Sequence, residues 1–194
     1  TFGKNYFGQL GHGHNKNIKT PEYIKDFPDA KEVSAGYAFS CIITTKNEIY
    51  SFGSGCDYRL GNSSEEDTNI PQKLKINFKV NSISTGSVHV CCLSDDNKLY
   101  SWGHEFYSGH NKIVKKPELI ESLKNISFKQ ISIGPGGYHT LCLTLYGHVY
   151  LWGHNRVGQL GFDNNNKEKN SNVDSDNEDN NDIYYHYKKP IFLK

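Results

Sequence analysis

The 194 residues contain no methionine, only two tryptophans and no Cys-x-x-Cys pair. The missing methionine predicts that these residues are a piece of a longer protein. No apolar run approaches the ~20 residues of a membrane-spanning helix, so no membrane partner is expected. An excess of charge of either sign is also lacking: 22 Lys and Arg face 21 Asp and Glu, for a formal net charge of +1. Such a balance falls well short of the basic footprint that marks nucleic-acid binding by charge alone. Five cysteines (Cys41, Cys56, Cys91, Cys92 and Cys142) are an odd number. Without metal-ligand spacing they argue against a zinc site, and four of them sit in short apolar runs. The expectation is a reducing, intracellular compartment, nuclear or cytoplasmic, with no disulfide framework.

Aromatics make up 13% of the chain and glycines number 18, a combination that suits strands joined by tight turns. These residues recur with a period. Phe2-Gly3, Phe52-Gly53, Trp102-Gly103 and Trp152-Gly153 are spaced by 50 residues, as are Tyr50, Tyr100 and Tyr150. Upstream of the pairs, "VSAGYAFSCIITTKNEIYSFG" (33–53), "ISTGSVHVCCLSDDNKLYSWG" (83–103) and "ISIGPGGYHTLCLTLYGHVYLWG" (131–153) align. Downstream, a proline opens a further apolar stub in "PEYI", "PQKL", "PELI" and "PIFL".

Each unit thus holds about four short apolar runs separated by turn signals. In "EIYSFG", Tyr50 and Phe52 fall on one face and Ile49 on the other, the period-two pattern of a strand. "TKNE", "DDNK" and "LYGH" read as hairpin turns between second and third strands. Four strands per unit and a period near 50 predict one propeller blade per repeat. No apolar stripe of helical period runs through a unit. Trp-Asp signatures are absent, and the single Gly-Gly pair (Gly136-Gly137) falls short of one per unit.

At "ISIGPGGYHTLCLTLYGHVYLWGHNRVGQLG" (131–161) the chain resembles the regulator-of-chromosome-condensation repeat family. "TFGKNYFGQLG" (1–11) is similar to the second half of that pattern. The resemblance implies an all-β fold, a β-propeller of four-stranded blades in a seven-bladed ring. At the observed period such a ring needs about 350 residues, so this chain would supply three to four blades. The expected units are 1–24, 31–74, 81–120 and 129–163, with 183–194 as the returning strand of the last. The missing blades are expected in the same gene product. The stretch 164–182 holds eight asparagines in 19 residues and carries net charge −4. It reads as a disordered, low-complexity loop insertion.

Most singled-out residues have architectural readings. His89 and His139, with Phe39 in the matching slot, read as buried rings bonded to backbone in the turn before a strand. Asn5, Asn155, Gln9 and Gln159 read as turn builders. His12, His14, His104, His110 and His154 lack the regular spacing of a metal site. The glycines lead into a loop and a strand rather than a helix, which excludes a phosphate cradle. No catalytic constellation, cofactor site, metal site or small-molecule substrate is expected.

The function expected is a non-catalytic scaffold that binds a protein partner through its blade loops. The resemblance implies a sharper alternative, guanine-nucleotide exchange on a small Ran-like GTPase, associated with chromatin. Exchange needs only differential binding. A third possibility is a propeller module within a larger protein, beside a ubiquitin-ligase or kinase domain. Unit three departs from the family pattern: "WGHEFYSGHNKIVKKP" lacks Gly-Gln-Leu-Gly. Unit two departs at Tyr58-Arg59, which replace Gly-Gln. That ring and charge, expected to be exposed, are the candidate partner-binding residues.

Overall fold

The computed structural model describes residues 1–162 and 186–193. They form three four-stranded antiparallel sheets. The first blade holds β1 (Ala30–Ala35), β2 (Phe39–Thr44), β3 (Ile49–Gly53) and β4 (Thr68–Lys73). The second holds β5 (Val80–Thr85), β6 (His89–Ser94), β7 (Leu99–Gly103) and β8 (Val114–Leu119). The third holds β9 (Phe128–Ser132), β10 (His139–Thr144), β11 (Val149–His154) and β12 (His186–Leu193). Every sheet is paired in chain order, from the innermost strand to the fourth at the outer edge. This is the all-β blade architecture that the repeat predicts. The segment before β1 adds one further pairing, between Gly3 and Ile18. It matches Gly53 with Thr68 and Gly103 with Val114 in the complete blades. The insertion expected at 164–182 lies outside the described residues.

The recurring proline falls within each fourth strand, at Pro71, Pro117 and Pro190. An outermost strand presents unpaired backbone groups, and a residue without an N–H blunts that edge against pairing with other chains.

Alternation along the strands sends side chains into two different junctions. Cys92, Val90, Trp102 and Tyr100 pack against Phe39, Cys41, Ile43, Ile49 and Leu60 of the first blade. Cys91, Leu93 and Leu99 pack instead toward Ile133, Cys142 and Trp152 of the third. The adjacent cysteines of β6 therefore serve opposite faces, as strand geometry requires. All five cysteines are free; burial pushes the thiols of Cys41, Cys91, Cys92 and Cys142 far up, out of the reactive range.

The innermost strands are joined by hydroxyls. Thr85 N–H donates to Ser34 Oγ (3.1 Å), and Ile133 N–H donates to Ser84 Oγ (3.0 Å). Backbone bonds add to this: Tyr37 N–H donates to Gly86 O and Ser87 N–H to Gly137 O. Each blade is thereby bonded to the next at its inner edge.

Candidate protein-interaction surface

The turns between first and second strands and the loops between third and fourth strands emerge at the same end of every blade. The paired residues show this: Phe39 opens β2 opposite Gly53, which closes β3, and His139 lies opposite Gly153. The phrase that closes each aromatic-glycine strand is a loop with one backbone course. Gly8, Tyr58 and Gly158 donate their N–H to the carbonyl three residues earlier, and Gly11, Gly61 and Gly161 do the same.

Side chains brace this course. Asn5 Oδ1 accepts from Leu10 N–H, and Asn155 Oδ1 accepts from Leu160 N–H, both at 2.9 Å. Gln9 and Gln159 accept from Phe7 and Val157 N–H. Thr1 and Ser51 donate to the carbonyls of Leu10 and Leu60. The final glycine of the phrase is a socket for the next blade's aromatic ring. A Cβ on Gly11 would lie 2.9 Å from the Phe52 ring, one on Gly61 2.7 Å from Trp102, and one on Gly109 3.1 Å from Trp152. Trp102 Nε1–H donates to Arg59 O (2.9 Å) and Trp152 Nε1–H to Tyr107 O (2.8 Å). Phe52, Trp102 and Trp152 are therefore the recurring connection between successive units, whereas Phe2, the first of the series, is exposed.

The altered middle of unit two behaves differently from its expectation. Gly55 stands where unit one has Asn5, and Asp67 Oδ1 accepts its N–H as Asn17 Oδ1 accepts that of Asn5. Arg59 is not exposed; it retains 6% of its surface. Its Nε–H donates to Cys56 O (2.7 Å), its guanidinium pairs with Asp57 (3.3 Å), and it lies 6.0 Å from the Phe39 ring centroid. The charge is used to tie the loop and cover the junction, so it is not presented to solvent.

Tyr58 is half-buried, with φ of +56°. Its counterparts Gly8 and Gly158 take the same left-handed backbone at +79° and +76°. For a tyrosine that conformation is strained by about 1–3 kcal/mol. The ring lies under Lys115 Nζ, 4.7 Å from its centroid, and Lys115 belongs to β8 of the next blade. The same clasp recurs one repeat later. Phe106 holds the place of Tyr58, and Lys188 of β12 holds that of Lys115; the ammonium stands 4.4 Å from the ring centroid. In unit one the corresponding pair is Gly8 and Asn69. A Cβ on Gly8 would meet Asn69 Cα at 2.4 Å, and Asn69 bonds to Asn15 instead. Lys115 and Lys188 carry no motif of their own. Only the strand register brings them to the rings.

Apart from these clasps, this end of the blades exposes large apolar groups. Tyr6, Phe7, Tyr37, Tyr138 and Val157 all stand out, with Tyr37 at 75% and Val157 at 82% of full exposure. Tyr138 continues through Tyr107 (5.2 Å between centroids) to His104 and Phe106. The histidines divide by environment. His12 and His14 stack on each other at the surface, and His12 Nε2 bonds to Thr1 Oγ1. Burial lowers the proton affinity of His89, His110, His139 and His154. His89 departs from the expected backbone-bonded ring: its Nε2 bonds to Thr140 Oγ1 of the next blade at 2.8 Å. Among the described residues, no three His, Cys, Asp or Glu side chains come together in a way that could hold a metal ion. No helix among them is long and apolar enough to cross a membrane.

Stacked four-stranded blades, bonded at their inner edges and locked by an aromatic ring in a glycine socket, define a β-propeller repeat protein. Two family models, both described as "Regulator of chromosome condensation (RCC1) repeat", match the chain. One matches residues 1–43 and 46–93 and the other 30–59 and 80–108. Between them they cover residues 1–108, more than half of the sequence. The chain belongs to the RCC1 repeat family. A comparison with curated proteins finds no match.

Among solved structures, the chain is similar to human WBSCR16, with 25% identity and a TM-score of 0.68 over 79% of this chain and 42% of that one. Prp20p from Saccharomyces cerevisiae, reported with its binding properties to Gsp1p and histones, gives 22% identity and a TM-score of 0.72. The match covers 84% of this chain and 42% of Prp20p. Yeast RCC1 (Prp20) bound to Kap60 gives 22% identity and a TM-score of 0.67, over 79% and 39%. The chain spans about two fifths of the length of these structures.

Proposed function

We propose that this chain is part of a propeller that binds a protein partner, without covalent chemistry, through the loop end that carries Tyr6, Phe7, Tyr37 and Tyr138. The observation that carries the reading is this group of exposed rings, set on turns that are bonded blade to blade. Rigidly mounted aromatic side chains give large contact area at small entropic loss and dominate protein interfaces. The likeness to Prp20p and its complexes supports a protein as the partner of this kind of fold.

The reading includes further blades. Gly158 and Gly161 adopt the loop geometry of Gly8 and Gly11, yet among the described residues nothing stands within 4 Å of a Cβ built on either. Where the earlier glycines receive the next blade's strand and ring, these two receive none of the described residues. A following repeat with its own aromatic-glycine strand fits there, in keeping with a seven-bladed ring.

The test is retention of partners by the intact protein. Tyr37→Ser combined with Tyr138→Ser is expected to abolish retention and leave the unfolding midpoint unchanged. Undiminished retention overturns the reading. Addition of the intact protein to a small Ran-like GTPase loaded with labelled GDP separates simple binding from exchange activity. Accelerated release supports the exchange-factor form, whereas binding with unchanged release supports the scaffold alone.

A further inference from the structure

Three corresponding positions change from apolar to polar between one blade junction and the next. Between the first and second blades stand Phe39, Leu60 and Val90, all within one buried apolar cluster. The strand register places His89 and Thr140 at the positions of Phe39 and Val90 between the second and third blades, and Ser108 precedes its socket glycine as Leu60 does. All three polar side chains are fully buried. The ring at the first position packs against a glycine in both junctions. A Cβ on Gly36 would meet Phe39 Cε1 at 2.2 Å, and one on Gly86 would meet His89 Cε1 at 2.6 Å and Nδ1 at 2.9 Å.

His89 uses one of its nitrogens, Nε2, for the bond to Thr140. Its Nδ1 and the Ser108 hydroxyl are, among the described residues, the buried side-chain polar atoms without a hydrogen-bond partner. Both fall in this junction. A neutral imidazole tolerates the arrangement, with one nitrogen accepting or donating toward Thr140. An imidazolium has two N–H donors, and the second would be a buried charge without an acceptor.

Among the described residues the surroundings offer no anion to offset it. His104 and Tyr107 approach from the loop after β7. His139 opens β10, with Tyr138 in the turn before it and His154 at the end of β11. Cys91, held neutral by burial, lies on the same strand. The two charges that act on His89 are His139 and His104, and both oppose its protonation.

We propose that the second-to-third blade junction is a proton-sensitive joint, which opens locally on acidification while the apolar first-to-second junction stays closed. Closed, His89 has its pKa lowered to about 3 by burial and by its two imidazole neighbours. Exposed in an opened junction it returns to about 6.5. A depressed folded-state pKa of a base means full stability above the open-state value and progressive loss below it. Between pH 6.5 and 3 each unit of acidification favours opening by about tenfold, and pH 5 favours it ~30-fold over pH 7.5.

Two backbone amides report the two junctions separately. Ser87 N–H crosses the second, to Gly137 O, and Tyr37 N–H crosses the first, to Gly86 O. Hydrogen exchange of the intact protein, corrected for the intrinsic pH dependence of exchange, is expected to show Ser87 losing protection by ~30-fold between pH 7.5 and 5. Tyr37 is expected to lose little. The double variant His89→Phe with Thr140→Val replaces the titrating ring and its partner by the first junction's side chains at those two positions and is expected to remove the difference. Equal loss at both amides, or a difference that survives in the double variant, overturns the proposal. Should the double variant fail to fold, the titration of the His89 imidazole by NMR decides. A midpoint well below 6.5 supports the joint, and one at or above 6.5 overturns it.

Discussion

The two complete junctions of this molecule share a frame and differ in their filling. In both, a tryptophan from the later blade seats in a glycine socket of the earlier one and donates its indole N–H to a loop carbonyl. In both, a lysine of the later blade's fourth strand covers an aromatic ring of the earlier blade's loop. Yet within their apolar clusters three corresponding positions differ: Phe39, Leu60 and Val90 in the first, His89, Ser108 and Thr140 in the second. The comparison teaches that the repeat fixes the perimeter of a junction and leaves its interior free to vary. Apolar interiors gain from area removed from water. An interior that takes in polar side chains must satisfy each of them, and among the described residues this one leaves two atoms without partners.

The largest expected effect removes what the junctions share. Trp102→Ala and Trp152→Ala each delete a fully buried ring together with its hydrogen bond. Each is expected to lower stability to urea by about 3–5 kcal/mol. If the frame is common, the two losses agree within about 1 kcal/mol by this reasoning. A loss confined to one tryptophan would break the comparison at its base.

Exchanging the fillings sharpens it. Leu60 and Ser108 occupy one position, each just before the socket glycine. Leu60→Ser removes a buried side chain and places a hydroxyl in the apolar cluster, for an expected loss of about 3 kcal/mol. Ser108→Leu does the reverse: it removes a buried hydroxyl without a partner and is expected to raise stability by about 1 kcal/mol. Denaturant midpoints at neutral pH measure both. Destabilisation by Ser108→Leu would show that the second junction has repacked around its serine and no longer has room for the first junction's side chain.

Much of this frame was legible in the sequence, and the illegible part has a definite cause. The strands followed from alternation in "EIYSFG" and its repeats, because one face of each strand had to be apolar for each neighbouring blade. The opposite destinations of Cys91 and Cys92 followed from the same geometry. Asn5 and Asn155 were readable because their role is local, within five residues. Arg59 was not readable as a buried group. Its covering depends on Phe39 and on the loop carbonyl of Cys56, and a charge in a loop gives no sign of either. His89 was readable as buried but not as bonded across the junction, since Thr140 lies 51 residues away. The clasps required the correspondence of Tyr58 with Phe106, which the shortened loop of unit three conceals. They also required that of Lys115 with Lys188, which only strand pairing reveals.

The smallest effect concerns that clasp, where Tyr58 sits in a backbone conformation that the first and last units give to Gly8 and Gly158. Tyr58→Gly relieves strain and forfeits the contact with Lys115, so the two changes oppose each other. Relief of about 1–3 kcal/mol is opposed by the lost cation–π contact, about 0.5–1 kcal/mol, and by the greater backbone freedom of an unfolded glycine, about 0.5–1 kcal/mol, which leaves a small net change. Lys115→Asn, which installs the side chain that Asn69 supplies in unit one, loses the contact without relieving strain and is expected to destabilise. The informative quantity is therefore the coupling in a double-mutant cycle of Tyr58→Gly and Lys115→Asn, expected at about 0.5–1 kcal/mol. Such coupling explains why a tyrosine persists at a strained position: it contacts the next blade. Zero coupling would leave the strain without an internal offset and return the exposed part of Tyr58 to the partner-binding role that the sequence suggested for it.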